Sequence, residues 1–271
     1  MRPNALSMAI RPGSEAGGLD LRSPLVPGNT FDLRTLEGVV VGGRDLGLFK
    51  VKLPATFGDG NRCWARHGNR WTFRWNYDPG VLVVVTAQPD RDGVDLEYTL
   101  ANETSTPLDA VQIHTCIPTT DAPDYFPDST VVDGAVGWSE LYRRLHVWSG
   151  GRRFTFADTR PGTREPHLSL PRRGFPRTEW GWWRNAPETF DTPLVVLSAK
   201  DGRSTVSMGF EQSVWASSNT GDNRACFHLF PWFGRVEPGR PVRVRGRVAI
   251  LPGGPDAALA HFRHRFRGRI G

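Results

Sequence analysis

The stretch "GVDLEYTLANETSTPLDAVQIHTCI", residues 93–117, decides the fold class. Leu96, Tyr98 and Leu100 alternate with polar neighbours, and Val111 and Ile113 resume the alternation after the polar break "NETSTP" (102–107). A two-residue period sends successive side chains to opposite faces, so each half reads as a strand with one buried face. With the break as a turn, the stretch reads as a β-hairpin.

The same logic extends in both directions. "DTPLVVLSAKDGRSTVSMGF" (191–210) repeats it around an Asp201-Gly202 turn. "DLGLFKVKL" (45–53), "RWTFRWNY" (70–77) and "VLVVVTA" (81–87) are β-branched or aromatic runs bounded by Gly, Pro and Asp. "RPVRVRGRVAIL" (240–251) alternates valine with arginine, as a strand with one wet face should. One helix is expected near the end, at about 254–267, with Pro255 in its first turn, Asp256 near the positive end of its dipole and Gly268 as its stop. Leu259, Phe262 and Phe266 form its apolar stripe, which should cover a sheet edge or open end, with His261 and His264 on the solvated side.

Residues 1–28 are rich in Gly, Pro and Ser without periodicity and are expected to form a mobile tail or an arm over the surface. Residues 29–271 then form one domain. The chain of 271 residues, with 30 Gly, 22 Pro, 10 Trp and 15 Phe, has turns and core material in the proportions of an all-β protein. The expected architecture is a large antiparallel β-sandwich, supersandwich-like, closed by one C-terminal helix.

Charge excludes less than its sum suggests. The net charge is +6, but only Lys50, Lys52 and Lys200 are lysines, and the arginines are scattered among acidic and aromatic residues. No basic stripe forms, so nucleic acid is not expected as a partner. An anionic sugar or oligosaccharide remains compatible with the surplus. No run reaches the length of a membrane span, and "MRPNALSMAIRPGSEAGGLD" (1–20) lacks the apolar run of a signal peptide. A cytoplasmic protein is expected unless a leader has been removed.

Candidate chemistry gathers in three places. The pairs His114/Cys116 in "IHTCI" and Cys226/His228 in "ACFHL" are each two residues apart, so each pair shares a strand face. Were those strands neighbours, four N and S ligands would converge on Zn²⁺, although the spacing matches no known zinc motif. The competing reading is two cysteines buried in the core. Cys63, Cys116 and Cys226 do not make a disulfide framework.

His228 runs into "LFPWFG" (229–234), where Trp232 and its aromatic neighbours would wall a pocket. Upstream, "EQSVWASSNTGDNRA" (211–225) supplies Glu211, Trp215, Asn219 and Arg224: a base, a stacking face, an amide and a cation. Sugar sites need that mixture, and a histidine titrating near neutrality supplies acid–base chemistry. In "EWGWWRN" (179–185), three tryptophans in four residues cannot all point inward. An exposed Trp183 beside Arg184 would suit glycan binding without catalysis. Asp121, Asp124 and Asp128 are acids or a Ca²⁺ site without regular ligand spacing, solvated acids being the default. No Gly-rich phosphate loop and no G-x-S-x-G elbow occurs, and "GVVVGG" (38–43) reads as strand and turn, so no nucleotide or nicotinamide cofactor is expected.

"LEYTLANETSTPLDAVQIHTCI" and "NRACFHLFPWFGRVEPGRPVRVRGRVAIL", set in a strand-rich chain of this length, resemble the galactose-mutarotase-like class of β-supersandwiches over roughly residues 30–252. That class includes aldose epimerases and the supersandwich domains of many polysaccharide lyases and glycosidases. The resemblance implies a strand histidine as acid and a carboxylate as base around a sugar ring. His228 or His114 would match the histidine, and Glu211 and Glu179 are the candidate carboxylates. A carbohydrate-active enzyme of epimerase, lyase or glycosidase type is therefore expected, with a glycan-binding module and a metal-dependent protein as the other readings.

Overall fold

The computed structural model describes residues 5–11, 18–46, 64–77, 80–126, 131–132, 135–136, 139–158, 161–163, 179–185, 190–219 and 225–268. In chain order the strands are β1 (Ser7–Ile10), β2 (Gly18–Arg22), β3 (Phe31–Val41), β4 (Arg44–Asp45), β5 (Trp64–His67), β6 (Arg70–Tyr77), β7 (Val81–Pro89), β8 (Gly93–Asn102), β9 (Leu108–Pro118), β10 (Val131–Val132) and β11 (Ala135–Val136). Helix α1 (Ser139–Arg144) precedes β12 (Leu145–Ser149), β13 (Arg152–Thr155), β14 (Pro161–Thr163), β15 (Glu179–Asn185), β16 (Phe190–Ser198), β17 (Ser204–Phe210), β18 (Ser213–Asn219), β19 (Cys226–Val236), β20 (Val242–Pro252) and helix α2 (Pro255–Arg265).

Among the described residues the strands form two nine-stranded antiparallel sheets and a separate β10–β11 pair. The first runs β1-β2-β3-β9-β19-β18-β15-β14, with β4 paired to β3, and the second runs β13-β12-β16-β17-β20-β8-β7-β6-β5. Alternation decides which residues meet between them. Along β7, Val81, Val83, Val85 and Ala87 are buried while the residues between are half-exposed. Phe31, Leu33, Phe227 and Leu229 of the first sheet enter the same core as Tyr98, Leu100 and Phe210 of the second. Each such side chain contributes about 1.5–3 kcal/mol on leaving water. The all-β sandwich with a C-terminal helix is the architecture the alternation implied.

Residues 93–117 correct the hairpin reading. β8 pairs with β7 and β20 in the second sheet, while β9 pairs with β3 and β19 in the first. "NETSTP" therefore carries the chain across the core from one sheet to the other. The Asn102 amide fastens this arch, its Nδ2 donating to Thr106 O (2.7 Å) and Val236 O (3.0 Å). Its Oδ1 accepts from Thr104 N (2.9 Å). A period of two specifies an inward face, and two strands facing one core from opposite sides carry the same pattern as two strands side by side. Residues 191–210, by contrast, form the expected hairpin, with Ser198 opposite Thr205.

Two terminal expectations also change. The N-terminal segment adds β1 and β2 to the first sheet, because "GLDLR" alternates and Leu19 and Leu21 are fully buried. Helix α2 lies on the outer face of the second sheet instead of at an edge. Ala258, Phe262 and Phe266, with Leu259 half-buried, pack on Trp148, Leu194, Val196, Ala249 and Leu251. Gly209 permits that approach, since a Cβ there would stand 2.4 Å from the Phe262 ring. His261 does not face water freely, for Arg247 Nε donates to its Nε2 at 3.2 Å.

Candidate functional site

The middle strands of the first sheet carry the site on the face turned away from the core. On β9, Ile113 and Ile117 enter the core, so His114 and Cys116 take the opposite face. On β19, Phe227 and Leu229 point inward, and Cys226, His228 and Phe230 point outward. Register then places His228 directly opposite Cys116, Cys116 opposite Arg34, and Ser217 of β18 opposite His228.

An irregularity in β3 completes the group. Pairing with β9 shifts between Arg34 and Gly38, and that shift brings Glu37 onto the outer face. Its Oε2 lies 3.2 Å from His114 Nε2 and 3.8 Å from His228 Nε2. Arg34 Nη1 donates to Glu37 Oε1 at 3.3 Å, and Arg34 Nε to Asp32 Oδ2 at 2.8 Å. The irregular segment is held from the core side, where Tyr98 Oη of the second sheet donates to Thr35 O (3.1 Å) and lies 3.0 Å from Thr115 Oγ1.

The inner end of the group is sulfur-rich. Cys226 Sγ lies 3.2 Å from His228 Nε2, and Ser217 Oγ lies 3.2 Å from His228 Nδ1. Cys116 and Cys226 are both free and buried. The His114 ring stacks on Phe230 at 4.5 Å between centroids and meets the His228 ring edge-on at 4.6 Å. Exposure grades outward through the cluster. The His228 side chain is 1% exposed, whereas those of His114 and Glu37 are 12% and 14% exposed.

The electrostatics follow from that packing. Burial works to raise the Glu37 carboxyl, but His114, His228 and Arg34 outweigh it and hold the group below its ordinary value. The thiol of Cys116 donates to Cys226 and, with His228 opposing burial, holds Cys226 down to about 6. Burial and the neighbouring Cys226 push Cys116 well up. Burial works to lower His228, while Cys226 and Glu37 raise it above its usual value. At neutral pH Glu37 is a carboxylate and Cys226 is largely a thiolate.

Sequence reasoning found four of these residues and missed three. His114, Cys116, Cys226 and His228 converge as strand neighbours. Trp215 faces the same way one alternation from Ser217, opposite Phe230, and is buried. Trp232 lies farther along β19, half-buried. Asn219 pairs with Cys226 and, on its other side, with Trp183 of β15, where Glu179 and Arg184 also lie; the side chains of these four are outside the described residues, as is Arg224. Glu211 is not brought to the cluster. It lies in the β17–β18 turn, where its carboxylate accepts from Arg245 N of the second sheet (3.2 Å). Asp121 pairs with Arg11, Asp124 accepts from Asn29 (2.6 Å), and Asp128 lies outside the described residues. Glu37, Arg34 and Ser217 were missed. The available signal for Glu37 was an acid in "TLEGVVV" directly before a glycine, a pattern that breaks strand alternation.

No protein-family model and no curated protein sequence matches the chain. Among solved structures, the Slr1438 protein from Synechocystis sp. PCC 6803 is similar at 12% identity over 91% of this chain and 94% of that one, with a TM-score of 0.50. The α-N-acetylgalactosaminidase NagBb from Bifidobacterium bifidum is similar at 12% identity and a TM-score of 0.50, over 98% of this chain but 39% of its own. A galactose mutarotase-like protein from Lactobacillus casei ATCC 334 aligns at 11% identity over 93% and 98% of the two chains, with a TM-score of 0.48. No helix among the described residues is long and apolar enough to cross a membrane. At these identities the likeness is one of fold alone, an antiparallel two-sheet β-sandwich shared with the Slr1438 protein and with part of NagBb.

Proposed function

We propose that the chain is a carbohydrate-active enzyme that receives a sugar on the outer face of its first sheet and moves a proton through Glu37 and His114. The observation that carries this reading is the pair itself, a carboxylate and an imidazole 3.2 Å apart at the least buried end of the cluster, with side chains 14% and 12% exposed although His114 Nε2 itself is buried. One group accepts a proton from a sugar hydroxyl while the other returns one to the ring oxygen or leaving group, which is the division of labour that acid–base catalysis requires. Glu37 takes the role that Glu211 and Glu179 were expected to fill. His228, closed from solvent, sets the charge on Glu37 from behind. Trp232, half-buried on the same face, offers apolar surface for a sugar's C–H side. The fold supports this assignment, being shared with a protein described as a galactosaminidase.

The test is a panel of neutral and acidic aldoses and their aryl glycosides. Interconversion of anomers is followed by NMR saturation transfer, and bond cleavage by product release. Turnover of at least one substrate is expected, falling about 10²–10⁴-fold in both Glu37→Gln and His114→Asn with the fold intact by circular dichroism. Sugar binding without turnover, lost only on Trp183→Ala, would establish a glycan-binding module instead. Turnover unaffected by either site variant would also refute the proposal.

A further inference from the structure

The inner end of the cluster has the composition and geometry of a zinc site. We infer that Cys116 Sγ, Cys226 Sγ and His228 Nε2 bind one Zn²⁺, leaving a fourth position that faces Glu37. The three ligand atoms already lie within 4.8 Å of one another. In a tetrahedral site with Zn–S of about 2.3 Å and Zn–N of about 2.0 Å, an S and an N ligand stand roughly 3.5 Å apart. The observed 3.2 Å between Cys226 Sγ and His228 Nε2 is close to that edge. Two thiol sulfurs and an imidazole nitrogen select a borderline-soft ion such as zinc over calcium or magnesium, which prefer oxygen.

Three further features support the site. Backbone pairing fixes the ligands on adjacent rungs of the central strands: His228 opposes Cys116 across the β9–β19 ladder, and Cys226 is one alternation away. Rigid strands hold a metal geometry better than loops do. Next, Ser217 Oγ sits on His228 Nδ1, so the other ring nitrogen turns toward the thiols. Zinc-bound histidines are ordinarily oriented by such a contact on the second nitrogen. Last, charge balances. A dication with two thiolates leaves Glu37 to be offset by Arg34, which lies 3.3 Å from it.

The fourth position faces the opening of the cluster. Glu37 Oε2 lies 3.8 Å from His228 Nε2, and beyond it stands His114. Three protein ligands with one exchangeable position are the pattern of a zinc that meets small ligands, unlike the four-ligand pattern of a purely structural zinc. This inference does not require the sugar chemistry proposed above, and its test does not use turnover.

The full chain is produced in zinc-supplemented medium, dialysed against metal-free buffer and analysed for metal by elemental analysis. Close to one zinc per chain is expected, and replacement by Co²⁺ should give tetrahedral d–d bands with thiolate-to-metal charge transfer in the near ultraviolet. His228→Ala and the Cys116→Ser/Cys226→Ser double variant should hold less than about a tenth of an equivalent. Cys63→Ser and Glu37→Gln should keep close to a full one. The cobalt spectrum needs no variant, so it decides the matter even where cysteine replacement impairs folding. Wild-type protein without stoichiometric zinc after reconstitution, cobalt bound without charge-transfer bands, or a Cys116–Cys226 disulfide in reduced buffer would each overturn the inference. Zinc at full occupancy with no sugar turnover would refute the proposed function and leave this site standing.

Discussion

Replacing Tyr98 by Phe removes one oxygen at the point where the second sheet supports the site on the first. Tyr98 is fully buried on β8, and its hydroxyl reaches Thr35 O at 3.1 Å and Thr115 Oγ1 at 3.0 Å. Thr35 lies within the irregular segment of β3 that presents Glu37, and Thr115 lies between His114 and Cys116. The ring remains in Tyr98→Phe, so its apolar burial and its edge-on packing against Phe210 at 5.5 Å are kept. Thr115 Oγ1 also donates to Thr35 O at 3.3 Å, so neither group is left without a partner. The loss is therefore that of a buried hydrogen-bonded hydroxyl without a stranded acceptor, about 1–2 kcal/mol. Tyr98→Ala, which also opens a cavity, should cost about 3–5 kcal/mol. Urea unfolding followed by tryptophan fluorescence measures both, with an unchanged slope showing that the end states are the same. A double-mutant cycle with Thr115→Val should give a coupling of about 1 kcal/mol. Were Tyr98→Phe neutral and additive with Thr115→Val, the hydroxyl would not be the tie between the sheets, and the account of what fixes the β3 irregularity would fail.

Two further predictions concern the opposite side of the molecule. Gly209→Ala sets a methyl group against the Phe262 ring and should destabilise by about 1–3 kcal/mol, measured as a lowered midpoint of thermal unfolding; an unchanged midpoint would show that α2 does not depend on that close approach. His146 on β12 is held down to about 4 by burial first and by Arg153 second, against Asp256 and Asp158, and its Nδ1 makes no hydrogen bond. Because the unfolded chain takes up this proton near 6.5 and the folded chain only near 4, the stability present above pH 6.5 should be lost as pH falls through that window. The loss amounts to about 3 kcal/mol. In His146→Gln that part of the pH dependence should vanish, and profiles that coincide with those of the unaltered protein would contradict the assignment.

What the sequence disclosed follows from what a two-residue period contains. It places side chains on faces, so the burial of β7, the pairing of β16 with β17 and the shared faces of His114/Cys116 and Cys226/His228 were all legible. It does not say which strand lies beside which. β8 and β9, adjacent in sequence, belong to different sheets, while β9 and β19, far apart in sequence, are neighbours. Whether the two histidine–cysteine pairs met was therefore open until the pairing was known. Glu37 was hidden for a related reason. It reaches the site through a shift in register, which interrupts the pattern that sequence reading relies on. Glu211 misled by proximity: it precedes β18 by two residues, but the turn it occupies faces the second sheet.

The order of the first sheet has a consequence for synthesis. β3 and β9 can pair early, but the other edge of β9 is completed by β19, which begins roughly a hundred residues later. At about 5–20 residues per second the ribosome takes on the order of 5–20 s to deliver it. For that interval the strand bearing His114 and Cys116 presents an unsatisfied row of backbone donors and acceptors, the kind of edge on which nascent chains aggregate. A chain interrupted before Cys226 would keep that edge permanently, so this protein is expected to lean on chaperones during translation and to tolerate C-terminal truncation poorly.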